Sequence, residues 1–127
     1  MKIEVVVEIP TRVIAYVLCT ALENGAGYWL RWPTATVHGG AMPAEDAEDS
    51  DMTDYYRLAN GGHAFLVEHG DASRTEHTLD LPLIQRGLTL MAAKHPKMFA
   101  ELVAEDGDSH TADVFLQYCL LGEVRYG

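Results

Sequence analysis

Aromatic rings and arginines recur together in this chain, and their pairing is the most distinctive chemistry its residue types offer. Tyr28, Trp29, Trp32, Tyr55, Tyr56 and Tyr126 stand beside Arg31, Arg57 and Arg125. Arginine forks bind phosphates, and aromatic faces stack on nucleobases. A pocket drawing on Trp29, Arg31, Tyr56, Arg57, Arg125 and Tyr126 would hold a nucleotide-like ligand. The competing role for the same rings is core packing, with Tyr28 and Trp32 filling one strand face and Arg31 in solvent. Alternation along a strand sets Trp29 and Arg31 together on the other face, open to a ligand or an interface.

Other chemistries find less support. Three of the six histidines, His63, His69 and His77, fall in one expected hairpin. Zinc needs three or four ligands at one point, yet His63 and His69 would stand roughly 20 Å apart along a strand. His77 approaches His63 in only one of two hairpin registers. Asp106-Gly107-Asp108-Ser109-His110 imitates the start of a calcium loop, but Thr111 and Gln117 occupy the positions that need glycine and an acid. It reads as a turn and helix cap, its acids well placed for the helix dipole. No GxSxG elbow or glycine-rich phosphate loop is present. Cys19 and Cys119 sit on apolar helical faces, where free cysteines act as small hydrophobes. The expectation is a protein with no catalytic residues, no metal and no cofactor.

Net charge is −10, from 19 acids against 9 bases in 127 residues. This disfavours unaided binding to DNA, RNA or anionic lipid, while leaving room for a local basic pocket. It also suits mimicry of nucleic acid towards a basic partner, although solubility explains it more simply. Hydrophobic residues make up 48% of the chain, which fits one globular domain over 1–127. No apolar run reaches the ~18 residues that span a bilayer. Glu4 and Glu8 interrupt the first apolar stretch, and no small-residue cleavage site follows, so the expected location is cytoplasmic.

The elements that would position these groups follow from periodicity. Residues 2–9 read as a β-branched strand. Pro10 suits the first turn of a helix, whose stripe is Val13, Ile14, Val17, Leu18, Ala21 and Leu22, with Asn24-Gly25 as its stop. Residues 28–37 read as a strand that Pro33 confines to an edge or a bulge. Residues 41–54 hold six acids and no base and are expected to be a mobile acidic loop. Residues 55–58 could be a short strand or a helical turn. Residues 63–69 and 74–79 form a hairpin. Asp80 or Leu81 opens a helix with Leu83, Ile84, Gly87, Leu88 and Met91 inward, and 97–105 make another. Ser109 or Thr111 caps the last helix, Val114, Phe115, Tyr118, Cys119 and Leu121 form its apolar face, and Gly122 stops it. The tail through Val124 and Tyr126 is expected to dock against core, interface or site. Strands in a run, then helices in a run, predict an α+β fold. It would be an antiparallel sheet of about three to five strands covered by a single layer of three or four helices.

Two segments carry a resemblance. Ala21-Leu22-Glu23-Asn24-Gly25-Ala26-Gly27-Tyr28-Trp29 and the stretch Thr111 to Gly127, through Ala112-Asp113, Phe115-Leu116-Gln117, Gly122-Glu123 and Tyr126-Gly127, resemble a family of small proteins encoded by tailed phages and prophages. Asn24 stands where that family often has Gly, and Leu121 where it often has Phe. The resemblance implies an accessory phage protein acting in the host cytoplasm, often in counter-defence. The resulting expectation is a homo-oligomeric, non-enzymatic binder. It would sequester a host defence nucleotide signal or inhibit a host defence protein, without direct nucleic-acid or membrane contact. The alternatives are a small metal-dependent hydrolase and a minor structural phage component.

Overall fold

The computed structural model describes residues 1–42, 50–70 and 74–127. After Pro10, helix α1 (Thr11–Thr20) turns Val13, Ile14, Ala15 and Leu18 inward. It widens into one π turn over Ala21–Gly25, closed by the Ala26 N–H on the Ala21 carbonyl at 2.8 Å. The chain then folds back tightly, with the Trp29 and Leu30 N–H groups both donating to the Ala26 carbonyl. The strand expected over 28–37 is instead two short strands, β1 (Leu30–Arg31) and β2 (Val37–His38). Pro33 has no N–H to give, and Ala35 holds φ at 49°, so the ladder breaks between them.

Both pair antiparallel with one edge of β3 (His63–His69), through Leu30↔Glu68 and Arg31↔Val67, and through Val37↔Ala64 and His38↔His63. Strand β4 (Arg74–Leu79) takes the other edge, with Phe65 opposite Thr78 and Leu66 opposite His77. The hairpin is therefore the one the sequence predicts. Its register separates His63 and His77 onto opposite faces. Both edges of β3 are occupied, and the strand expected over 2–9 has no secondary structure.

Residues 55–58 are helical, within α2 (Thr53–Ala59), which follows a 3-10 turn at Ser50–Met52. Buried Met52, Tyr55, Tyr56 and Leu58 anchor this segment. That corrects the end of the expected mobile stretch 41–54, while 43–49 lie outside the described residues. Helix α3 (Leu81–Lys94) is capped by Asp80, which accepts the Leu83 N–H at 3.2 Å. Helix α4 (Pro96–Val103) follows after one residue. Helix α5 (Ser109–Leu121) is capped one residue earlier than expected, by Asp108 on the Thr111 N–H at 3.0 Å. Gly122, left-handed at φ 73°, ends it. The fold is α+β, a four-stranded antiparallel sheet with five α-helices among the described residues.

Helix α5 is the centre of the molecule. Every residue from Thr111 to Leu120 is buried, against α1, α3, α4, β4 and the π turn. Its closest helical neighbour is α3, because Gly87 has no side chain. A Cβ there would sit 2.2 Å from the Cys119 Sγ and 2.9 Å from the Cys119 N. Gly87→Ala gains up to about 1 kcal/mol in helix propensity, but it forces two packed helices apart. Overpacking costs about 1–3 kcal/mol, so the expected net loss is up to about 2 kcal/mol, read as a lower denaturant midpoint with unchanged slope.

Candidate functional site

A helix buried on all sides cannot leave its polar atoms unpaired without a large cost. Helix α5 carries two polar side chains one turn apart, Asp113 and Gln117, and both are fully engaged. Asp113 Oδ1 accepts from Trp29 Nε1 at 2.7 Å and from Gln117 Nε2 at 3.1 Å, and Oδ2 accepts from the Tyr28 hydroxyl at 2.5 Å. Gln117 Nε2 also donates to the Tyr126 carbonyl at 3.1 Å. Its Oε1 accepts the N–H groups of Arg125 and Tyr126 at 2.7 and 2.8 Å. The side-chain amide thus holds the tail backbone as a neighbouring strand would.

The docked tail then closes over Trp29 and Glu68. The Tyr126 ring stacks on Trp29 with centroids 5.3 Å apart and planes 13° from parallel. Its hydroxyl donates to Glu68 Oε2 at 2.5 Å, and Arg125 Nη1 reaches the same oxygen at 3.2 Å. His77 Nε2 lies 2.9 Å from Glu68 Oε1. The expected docking holds for Tyr126, whereas Val124 remains 41% exposed. Burial opposes the charge of Glu68, but hydrogen bonds from Tyr126 and His77, with the charge of Arg125, hold its carboxyl below the usual range. The bond to Glu68 pushes the Tyr126 hydroxyl up. Burial first, then the bond to Asp113, raises Tyr28 to about 12.

The structure divides the six residues expected to share one pocket. Trp29, Arg125 and Tyr126 meet in this internal network. Tyr56 is buried in α2, and Arg57 donates to the Gly39 carbonyl at 3.0 Å. Arg31 is exposed on the sheet. Trp29 does not share its face, because the turn at Ala26 delays the strand until Leu30 and rotates the indole inward to 1% exposure. Tyr28, expected in the core, is 53% exposed. Cys19 is only partly buried, its thiol donating to Glu23 at 2.7 Å. Sequence reasoning passed over Asp113, Gln117 and Glu68. The available signal was a pair of polar residues at i and i+4 inside an apolar helix.

A second feature lies on the opposite side of the sheet. Strand alternation turns Ala64, Leu66 and Glu68 inward and sets His63, Phe65, Val67 and His69 on the other face, where Phe65 is open and Val67 is covered. Phe65 is 50% exposed, with the His38 and His63 rings at 5.5 and 5.3 Å. The two imidazoles stack on one another at 5.3 Å across the β2–β3 pair. Arg31 and Arg74 stand on the same face, opposite Val67 and His69. Neither is held in an ion pair among the described residues. Glu76 is the one acid this face carries among them. Separately, a hollow of about 490 Å³ lies between α1, α4 and the start of α5, bordered by Tyr16, Leu102 and Asp108. Arg12 on its rim is paired with Glu105, and Asp108 already caps the helix there. Among the described residues no three His, Cys, Asp or Glu side chains gather as metal ligands.

Two measurements test the tail network. Gln117→Glu replaces the donor facing Asp113 Oδ1 and the Tyr126 carbonyl with an acceptor, and should cost at least about 2 kcal/mol. Gln117→Leu leaves the same groups unpaired and should cost a similar amount, so a small loss in either variant would show that the clamp is dispensable. The pH profile of stability follows from the shifts. The lowered Glu68 contributes fully above about pH 4.3 and loses that contribution as pH falls through its folded value. The raised Tyr28 and Tyr126 contribute fully below about pH 10 and lose it as pH rises through their folded values. Thermal melts should form a plateau between these limits, and Glu68→Gln should flatten its acid edge.

No protein-family model, curated protein or solved structure matches this chain.

Proposed function

We propose that this chain is a binding protein without turnover, and that its contact surface is the outer face of the sheet. The observation that carries this reading is Phe65, half exposed and flanked by the stacked His38 and His63 rings. Unpaired Arg31 and Arg74 share that face. A base can stack on Phe65 while imidazole edges hydrogen-bond to it and an arginine fork takes a phosphate. Such a face on a chain of net charge −10 selects a compact anion with a π surface over extended nucleic acid, which the rest of the molecule repels. The ligand class is a small nucleotide.

The resemblance to small phage-encoded proteins supplies the biological setting of this proposal. A host defence nucleotide signal is captured one-for-one in the host cell and withdrawn from its receptor. Titration of a panel of mono-, di- and cyclic nucleotides by calorimetry tests it. One ligand should bind with fixed stoichiometry per chain and return chemically unchanged after heat denaturation. Phe65→Ala and Arg31→Ala should each weaken that ligand while leaving the melting temperature in place. Loss of one base–aromatic stack costs about 1–3 kcal/mol, or about five- to a hundred-and-fifty-fold in affinity. Conversion of the ligand by sub-stoichiometric protein, or no binding across the panel, would overturn the reading.

A further inference from the structure

Residues 2–9, Lys-Ile-Glu-Val-Val-Val-Glu-Ile, have the composition of a strand and join none. Five of the eight are β-branched, a composition suited to a pleated, partly covered surface. Yet Ile3, Val5, Val6 and Val7 are exposed to 75%, 71%, 93% and 49%. Inside the molecule the segment pairs with no strand: both edges of β3 are occupied, and the outer edges of β1, β2 and β4 take no partner among the described residues. Beneath the segment, Val5, Val7 and Ile9 border a hollow of about 360 Å³ with Leu88 and Ala92 of α3 and Phe99 of α4. An exposed apolar segment with strand composition and no strand partner is a template for another chain.

We propose that the occupant is the same segment of a second copy, paired antiparallel about a two-fold axis at Val5. The charges select this register. With Val5 opposite itself, Lys2 of each copy faces Glu8 of the other, at both ends of the ribbon. Ile3 then faces Val7, and Glu4 faces Val6. Centring the axis on Glu4 would oppose Glu4 to itself, and centring it on Val6 would oppose Glu4 to Glu8 twice. Like charges directly opposite one another destabilise a strand pair, and opposite charges stabilise it. Side chains paired across the strands share a face, so Ile3 of the second copy comes to lie beside Val7, over the hollow against α3 and α4. The contact is isologous, each surface meeting its own copy, so it closes as a dimer and does not propagate. It uses neither the tail network nor the outer face of the sheet, and it stands whether or not those bind a ligand.

Sedimentation velocity over a concentration series tests the assignment. The unaltered protein should pass from monomer to dimer. Lys2→Glu alone and Glu8→Lys alone each place like charges opposite one another at two points, and each should weaken the dimer by about tenfold or more. An equimolar mixture of the two variants restores a Lys opposite a Glu at both ends, and it should associate more tightly than either variant by itself. The segment lies outside the core, so both variants should keep the parent melting temperature at low concentration. A protein that stays monomeric throughout would overturn the proposal. So would a dimer insensitive to both substitutions, or a mixture no tighter than its components.

Discussion

The architecture depends on the need to satisfy two polar side chains in a helix that is buried on every side. Asp113 and Gln117 cannot reach water, so their partners must come from other parts of the chain. Those partners are Tyr28 and Trp29 from the turn after α1, and the backbone of Arg125 and Tyr126 beyond α5. One pair of residues therefore fixes where the strand begins and where the tail lies. It also explains the inward rotation of Trp29, since the indole N–H is the donor that Asp113 Oδ1 receives at 2.7 Å. The stacking of Tyr126 on that indole, and the reach of its hydroxyl to Glu68, follow once the tail backbone is held.

This arrangement separates structure from surface chemistry. The inner side of the sheet carries Glu68, satisfied by Tyr126, Arg125 and His77, and its groups are committed to one another. The outer side carries cations and rings with few partners. The two faces differ because β3 alternates and because its register with β4 places His77 inward, opposite Leu66, while Thr78 stands outward, opposite Phe65. A one-residue slip would exchange these populations, leaving Glu68 in solvent and Phe65 in the core.

Much of the fold was legible because local rules acted alone. The β3–β4 hairpin follows from two alternating runs around Gly70, α3 from Asp80 and Pro82, and the end of α5 from Gly122. What was hidden depended on distant partners. Nothing near Trp29 announces that a carboxylate 84 residues away will claim its N–H, so alternation placed it beside Arg31 on an open face. Residues 2–9 carry strand propensity, but propensity does not supply a partner: the segment pairs with no strand, although β4 bonds only to β3 and leaves its outer edge open. The sequence groups aromatic rings with arginines around Trp29 and Arg31, whereas the half-exposed ring that shares a face with an unpaired arginine is Phe65, set there by the register with β1 and β2.

The bond between Trp29 and Asp113, and that between Tyr28 and the same carboxylate, join residues 84 and 85 positions apart. Closing so long a loop is slow, and the entropy must be surrendered before the contact returns anything. During synthesis the early turn therefore emerges with its indole unsheltered, and it stays so until α5 and then residue 126 have left the ribosome. The hairpin and α3 can form in the meantime from local contacts. The central helix follows the elements it packs against in the chain, so the contacts that hold this fold together are made after the parts they join.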